Sequence, residues 1–428
     1  MAEESLDSGN ILISVRENSI SISIDAVPNF SFDRKGRLIG AYIDGHNFRR
    51  TMDNRVIEKW AHRERGFKER IRRELSAEEK RRFLDELHAT LSRVYREVEA
   101  GKFQMVPSAR AEPASLAEVQ SWLERILAWD YARLEKEREL FLKVYKPVTI
   151  LPPDQYLALV LQATEGCSYN RCTFCQFYRD RKFRIKPEEE FRAHIKAVKE
   201  LFGEALGLRK SIFLADANAL VIAQKLLLPI FEAINEEFAI IPAHLKGPAL
   251  AQWKREHPLF FQGIYSFISA FDALRKSEDD FHVLGRQGLR RVYIGLETGD
   301  DDLLRFLNKP GSAADVCRAV STIKGGGIKV GVIIMTGIGG DRYAEGHVKN
   351  SIEAVNAMGL GEGDIVYFSR FVDHPGSEYA RRAAAQGIRP LTREEVQEQT
   401  RRIKAGFIFP DPARPPKVSV YDIREFIY

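Results

Sequence analysis

Tyr156-Leu-Ala-Leu-Val-Leu161, followed by Glu165-Gly-Cys-Ser-Tyr-Asn-Arg-Cys-Thr-Phe-Cys175, is the stretch on which the reading of this chain turns. Its first part is an apolar run of strand length, preceded by Pro152-Pro153, and has the texture of a strand buried on both faces. Its second part gathers three of the four cysteines, Cys167, Cys172 and Cys175, with four and then two residues between them. Thiolates so close in sequence can converge on one ion or cluster. A structural zinc site takes four ligands, and its two-residue spacing normally recurs with Cys or His elsewhere. Three thiolates instead leave one metal position open to a substrate or cofactor. Two plainer readings stand beside this one. Buried cysteines acting as small hydrophobes sit poorly with the Ser, Tyr, Asn, Arg and Thr around them. A redox-active pair, Cys172 and Cys175, leaves Cys167 without a role. Cys317 lies in Asp315-Val-Cys-Arg-Ala-Val320, where Val316, Ala319 and Val320 mark a packed helix face. It is expected not to be a ligand.

Outward from this loop, strands and helices alternate. Ser211–Ala215, Ile264–Ala270, Val292–Leu296, Val330–Ile334 and Ile365–Phe368 read as further strands. Helices fit near 187–202, 224–238, 276–287, 313–324 and 345–358, while 239–263 has no clear pattern. Apolar strands alternating with helices predict an α/β fold, a partial parallel barrel of six strand–helix units. Ligands of such a sheet bind at the C-terminal ends of the strands.

The domain boundary is placed at the Pro-rich stretch, dividing 1–147 from a barrel with a C-terminal extension over 148–428. Before it, Ile11–Val15 and Ser19–Ile24 alternate apolar and polar residues, so a small antiparallel sheet over Ile11–Ile43 is expected, with turns at Asp33–Gly36 and Asp44–Gly45. Helical texture then follows. Ser76-Ala-Glu-Glu79 is a capping box opening a helix to about Glu99, and Ser115-Leu-Ala-Glu118 a second one before a long helix ending near Tyr145. Arg63, Arg65, Lys68, Arg70, Arg72 and Arg73 are read as a solvated helix face interleaved with glutamates rather than as a nucleic-acid patch.

The cysteine loop resembles that of the radical SAM superfamily, which holds a 4Fe–4S cluster by three cysteines after the first barrel strand. The commoner spacing there is three then two residues; here it is four then two. Asn170 is the residue best suited to a left-handed bulge at the extra position. Val292-Tyr-Ile-Gly-Leu-Glu-Thr-Gly299, with Leu303-Leu304 and Asn308-Lys-Pro310, resembles the fourth strand and its following helix, and Lys329–Gly340 the fifth strand and its glycine turn. The resemblance covers about residues 148–380. It implies Cys167, Cys172 and Cys175 as iron ligands and S-adenosylmethionine (SAM) as cofactor. It also implies a one-electron donor of flavodoxin or ferredoxin type and reductive cleavage of SAM to a 5′-deoxyadenosyl radical. Cofactor contacts are expected from Phe174 beside the adenine, from Asp216 and Asn218 after the second strand and from Ser269 after the third. Glu297 and Thr298 would contribute from the fourth strand, Gly337 from the glycine turn and Arg370 from the sixth strand. For Asp216, Asn218, Glu297 and Thr298 helix capping is the plain alternative, for Gly337 a tight turn, and His347 and His374 read as structural.

The balance of 65 Lys and Arg against 60 Asp and Glu is a net charge of only +5, which by itself argues for neither nucleic acid nor membrane. No apolar run reaches the roughly 20 residues of a membrane helix, and the acidic start lacks an apolar leader, so a cytoplasmic location is expected. The readings from other classes are a non-catalytic iron–sulfur protein that carries electrons or senses oxidation, and an RNA-binding or RNA-modifying protein. The substrate, small molecule or macromolecule, is not named by any residue.

Overall fold

A computed structural model describes residues 10–64, 67–108 and 113–428, which divide into two compact units. The first contains residues up to Pro147 together with Ala197–Leu208 and Tyr428; the second contains Val148–Lys196 and Arg209–Ile427. Among the described residues no helix is long and apolar enough to cross a membrane.

In the first unit, alternation decides the sheet. Ile11, Ile13 and Val15 point to one face with Ile20, Ile22, Phe30 and Phe32, and all are buried. Seven strands follow one another in antiparallel order: Ile11–Val15, Ser19–Ile24, Asn29–Asp33, Leu38–Ile43, His46–Arg50, Val56–Glu64 and Phe67–Glu74. A two-residue strand, Gln104–Met105, adds in parallel to Ile11–Val15. Helix Ala77–Glu99 carries both halves of its capping box at Ser76 and Glu79. It lays Leu84, Leu87, Leu91, Val94 and Val98 on the apolar face of the sheet.

Two expectations for this unit are corrected. The sheet does not end at Ile43 but runs on through three more strands to Glu74. Their charged residues pair across strands rather than along a helix: Glu58 stands opposite Arg73, with Nε–Oε2 at 2.6 Å. The stretch carrying Arg63, Lys68, Arg70, Arg72 and Arg73 is therefore a hairpin; Arg65 lies outside the described residues. The long helix expected from Ser115 to Tyr145 is two helices, Leu116–Leu127 and Tyr131–Val144. Asp130 breaks the run because its carboxylate accepts the Arg133 N–H at 2.8 Å and caps a new helix.

Beneath the sheet sits an ion cluster. Arg37, 1% exposed, reaches Asp33 (Nε–Oδ2 2.7 Å) and Glu137 (Nη1–Oε1 2.7 Å). Arg50 approaches Glu137 from another side at 4.0 Å, and burial brings its pKa down to about 10.

The second unit is a seven-stranded, all-parallel sheet. Its strands stand in chain order: Ala158–Gln162, Ser211–Ala215, Ile264–Phe267, Leu289–Glu297, Lys329–Thr336, Ile365–Arg370 and Lys417–Tyr421. The first two are wholly buried, as unbroken apolar strands require. Helices Glu188–Phe202, Gln224–Glu237, Glu278–Arg286, Ala313–Gly325 and Gly340–Ala357 fall between strands. The α/β fold with a parallel sheet is as expected, and a seventh strand adds to the expected six at one edge. Lys417–Tyr421 pairs with Ile365–Arg370, Ile365 opposite Lys417, yet it is only partly buried and so lacks the continuous apolar signature of its neighbours. The segment without a pattern, 239–263, forms a helix, Gly247–Glu256, between two two-residue strands paired in parallel, Ala239–Ile240 and Phe260–Phe261.

Candidate functional site

The loop leaving Ala158–Gln162 carries the cysteines, and its neck is tied before they begin. Thr164–Glu165 pairs antiparallel with Arg184–Ile185, and the Arg184 guanidinium forks onto Glu165 at 2.7 and 2.9 Å. Gly166 has φ +75°, and a Cβ there would meet Lys182 O at 3.0 Å, so the close return of the chain requires glycine. Asn170 has φ +47°, the left-handed geometry expected at the extra position. Its amide donates to Tyr178 O at 2.8 Å, and its N–H points to Cys167 Sγ at 3.3 Å. On the other side the loop docks on the turn that ends helix Asp301–Phe306, which follows the fourth strand. Thr173 N donates to Leu307 O at 2.9 Å, Tyr169 Oη to Asn308 Oδ1 at 3.2 Å, and Asn308 Nδ2 to Arg171 O at 2.9 Å.

All three cysteines line one cavity of about 220 Å³ at the C-terminal ends of the strands. Burial pushes the Cys172 thiol up to about 12, with Lys309 pulling the other way, and burial also raises Cys175. Among the described residues no group of three or more His, Cys, Asp or Glu side chains closes on a single metal position. The thiols share the cavity without meeting at one point.

Of the other expected site residues, Phe174, Asn218, Ser269 and Glu297 line the same cavity. Asn218 Nδ2 donates to the buried Asp272 at 2.6 Å, and Ser269 Oγ donates to the same carboxylate oxygen at 2.6 Å. Asn218 also reaches Ser168 Oγ at 3.2 Å, so a polar strip joins the cysteine loop to the second and third strands. Glu297 sits at a bulge of the fourth strand with φ +61°, and Lys309 Nζ meets its Oε1 at 3.0 Å. Burial works against the Lys309 ammonium, but Glu297, with Cys172 beyond it, outweighs that and holds its pKa above the ordinary lysine value. Gly295 makes room for the pair: a Cβ there would stand 2.1 Å from Glu297 Oε1 and 3.1 Å from Lys309 Nζ.

The remaining four face elsewhere. Asp216 accepts from Gly166 N–H at 3.1 Å and meets Arg181 Nη1 at 3.2 Å, so it ties the neck of the cysteine loop; burial pushes its carboxyl up to about 7. Thr298 is buried and shares a 2.7 Å hydrogen bond with His347 Nδ1, whose pKa burial depresses to about 4. Gly337, with φ +84°, donates its N–H to Gln399 at 2.8 Å. Arg370 is exposed, and its predecessor Ser369 lines the cavity instead. Successive strand residues point to opposite faces, which is why the two neighbours differ in exposure. Lys309 and Tyr421 line the cavity without having been singled out. The adjacency of Asn308-Lys-Pro310 to the fourth strand was the one signal that pointed toward Lys309.

Cys317 lies apart, in helix Ala313–Gly325, its Sγ 3.4 Å from Ala354 O. Cys317→Ser is expected to leave iron content and the reduced-cluster spectrum unchanged after anaerobic reconstitution. Loss of iron in that variant alone would make it a ligand.

Residues 161–348 match the model of the radical SAM superfamily. No curated protein matches the chain. Among solved structures, methylornithine synthase is 16% identical over 63% of this chain and 69% of its own, with a TM-score of 0.36. The coproporphyrinogen III oxidase of Escherichia coli, a radical SAM enzyme, is 10% identical over 63% of this chain and 55% of its own, with a TM-score of 0.38. The Elp3 protein of the archaeon Methanocaldococcus infernus, lacking its N-terminus, is 14% identical over 62% of this chain, with a TM-score of 0.36; this chain covers 56% of its length. The superfamily uses a 4Fe–4S cluster and SAM.

Proposed function

We propose that the chain, whose residues 161–348 match the radical SAM superfamily, is an enzyme of that superfamily that cleaves SAM reductively to act on a substrate yet to be identified. The observation that carries this reading is the sharing of one cavity by three cysteines and the Glu297–Lys309 ion pair. The donor set fits a cluster: each thiolate of such a group takes its own iron, so the sulfurs need not meet at one point. Cys167, Cys172 and Cys175 would hold three irons, leaving the fourth open. When bound and reduced, the cluster supplies the electron that splits the C5′–S bond of SAM, giving methionine and a 5′-deoxyadenosyl radical that takes hydrogen from the substrate.

The chain's own residues bind, orient and keep the site dry. Glu297 and Lys309 offer opposite charges side by side, matching the ammonium and carboxylate of the methionine end. Asn218, Ser269 and Ser168 form a polar strip for hydroxyl or amino groups. Phe174, Phe267, Ile268 and Met335 line the apolar remainder, suited to an adenine ring and to exclusion of water. A one-electron carrier of flavodoxin or ferredoxin type in the cytoplasm would supply the reductant.

Anaerobic reconstitution with iron and sulfide, then reduction in the presence of SAM, tests the reading. The expected products are methionine and 5′-deoxyadenosine, with a shift in the electron paramagnetic resonance signal on adding SAM. A full cluster whose signal ignores saturating SAM would sink the enzyme and favour an electron carrier.

A further inference from the structure

Arg179 stands four residues beyond Cys175, exposed to solvent, and its guanidinium is spent on the cysteine loop alone. Nη1 donates to Asn170 O at 2.6 Å, Nη2 to Cys172 O at 2.9 Å and Nε to Cys175 O at 3.2 Å. One side chain thus draws together three carbonyl groups from a six-residue span that includes two of the cysteines. Carbonyl dipoles aimed at one point repel each other unless a cation lies between them. The planar fork of arginine supplies several donors in fixed directions, which the single ammonium of lysine does not. Other arginines at or near the surface, Arg192, Arg389 and Arg402 among them, are bound by glutamates instead.

The third carbonyl belongs to Asn170, the residue in the left-handed conformation. That conformation turns the extra peptide of the four-residue spacing, and its outward carbonyl is the one Arg179 binds most closely. We infer that Arg179 is the positioning residue of the iron site: it fixes the widened Cys167–Cys172 arc, and its charge, held behind the cysteines, favours the reduced state of the cluster. This rests on the cluster reading above. The consequences separate by variant. Arg179→Lys keeps the charge and loses the fork. Arg179→Gln loses both.

The test uses the full chain, reconstituted anaerobically with iron and sulfide, with iron content, rate of cluster loss to a chelator and reduction potential as readouts. Because Arg179 is exposed, the variants should keep the thermal unfolding of the iron-free protein, which is measured alongside. Arg179→Gln is expected to lose its cluster about tenfold faster or more, the scale set by hydrogen bonds to a charged group, and to show a more negative potential than the parent. Arg179→Lys should lose its cluster faster too but hold a potential near the parent's, which a merely structural contact would not predict. An Arg179→Gln protein with the parent's iron content, chelator resistance and potential overturns the inference. A parent protein that takes up no cluster overturns the underlying reading instead.

Discussion

Cys172→Ser, and equally Cys167→Ser and Cys175→Ser, should each reduce the iron bound after anaerobic reconstitution to background and abolish 5′-deoxyadenosine formation. The effect is all-or-none because the cofactor supplies the difficult step and no residue of the cavity replaces it. The equality of the three variants is the informative part. If the site were a redox pair of Cys172 and Cys175, Cys167→Ser would leave both thiols able to form their disulfide. Normal iron in Cys167→Ser would remove Cys167 from the ligand set, and a parent that takes up no iron but forms the Cys172–Cys175 disulfide would restore the pair. The iron-free variants should unfold as the parent does, since each cysteine sits in a loop tied by the other contacts described at Thr173, Asn308 and Arg179.

The second large effect lies far from the iron site. Glu137→Ala should destabilise the first unit by about 3–5 kcal/mol, the usual result of removing one partner from a buried ion pair. Glu137 is 4% exposed and serves Arg37 directly, with Arg50 and Lys35 close by. Its loss leaves Arg37 with Asp33 alone and strips Arg50 of its nearest carboxylate. Arg50 already has a lowered pKa from burial, so it has little solvation to fall back on. Denaturant unfolding followed by a probe in the first unit should show the loss, and a change under about 1 kcal/mol would mean that water reaches the cluster. Glu137→Ala should not alter iron content in the folded protein.

The parts of the molecule that were legible in its sequence are those where burial is total. Ser211-Ile-Phe-Leu-Ala215 has no exposed residue, and its apolar run gives the strand to the residue. The capping box at Ser76 is equally direct, because a local reciprocal pair of hydrogen bonds needs no tertiary context. The strands from His46 to Glu74 escaped because cross-strand ion pairs use the same alternating charges that decorate a helix. Lys417–Tyr421 escaped because, as the outermost strand, it is only partly buried. At the candidate site, the spacing of Cys167, Cys172 and Cys175 brings them to one loop, and all three line one cavity. The pairing of Lys309 with Glu297 is not legible in the sequence, since it depends on the bulge that turns Glu297 toward it, and no local pattern announces a bulge. Asp216 was read for its charge and its place after a strand. Its partners Gly166 and Arg181 are decided by the fold and have no mark in the local sequence.

Because the parallel strands lie side by side in the order of the chain, the second unit can be assembled as it is synthesised, each strand docking on the one made just before it. The cysteine loop follows the first of these strands, while Asn308, which fastens it at Arg171, comes 137 residues later. At about 5–20 residues per second this is an interval of roughly 7–27 s. During it the loop has its neighbour Arg179 but not its far wall. The three thiols therefore leave the ribosome well before the residues that wall their cavity have been made.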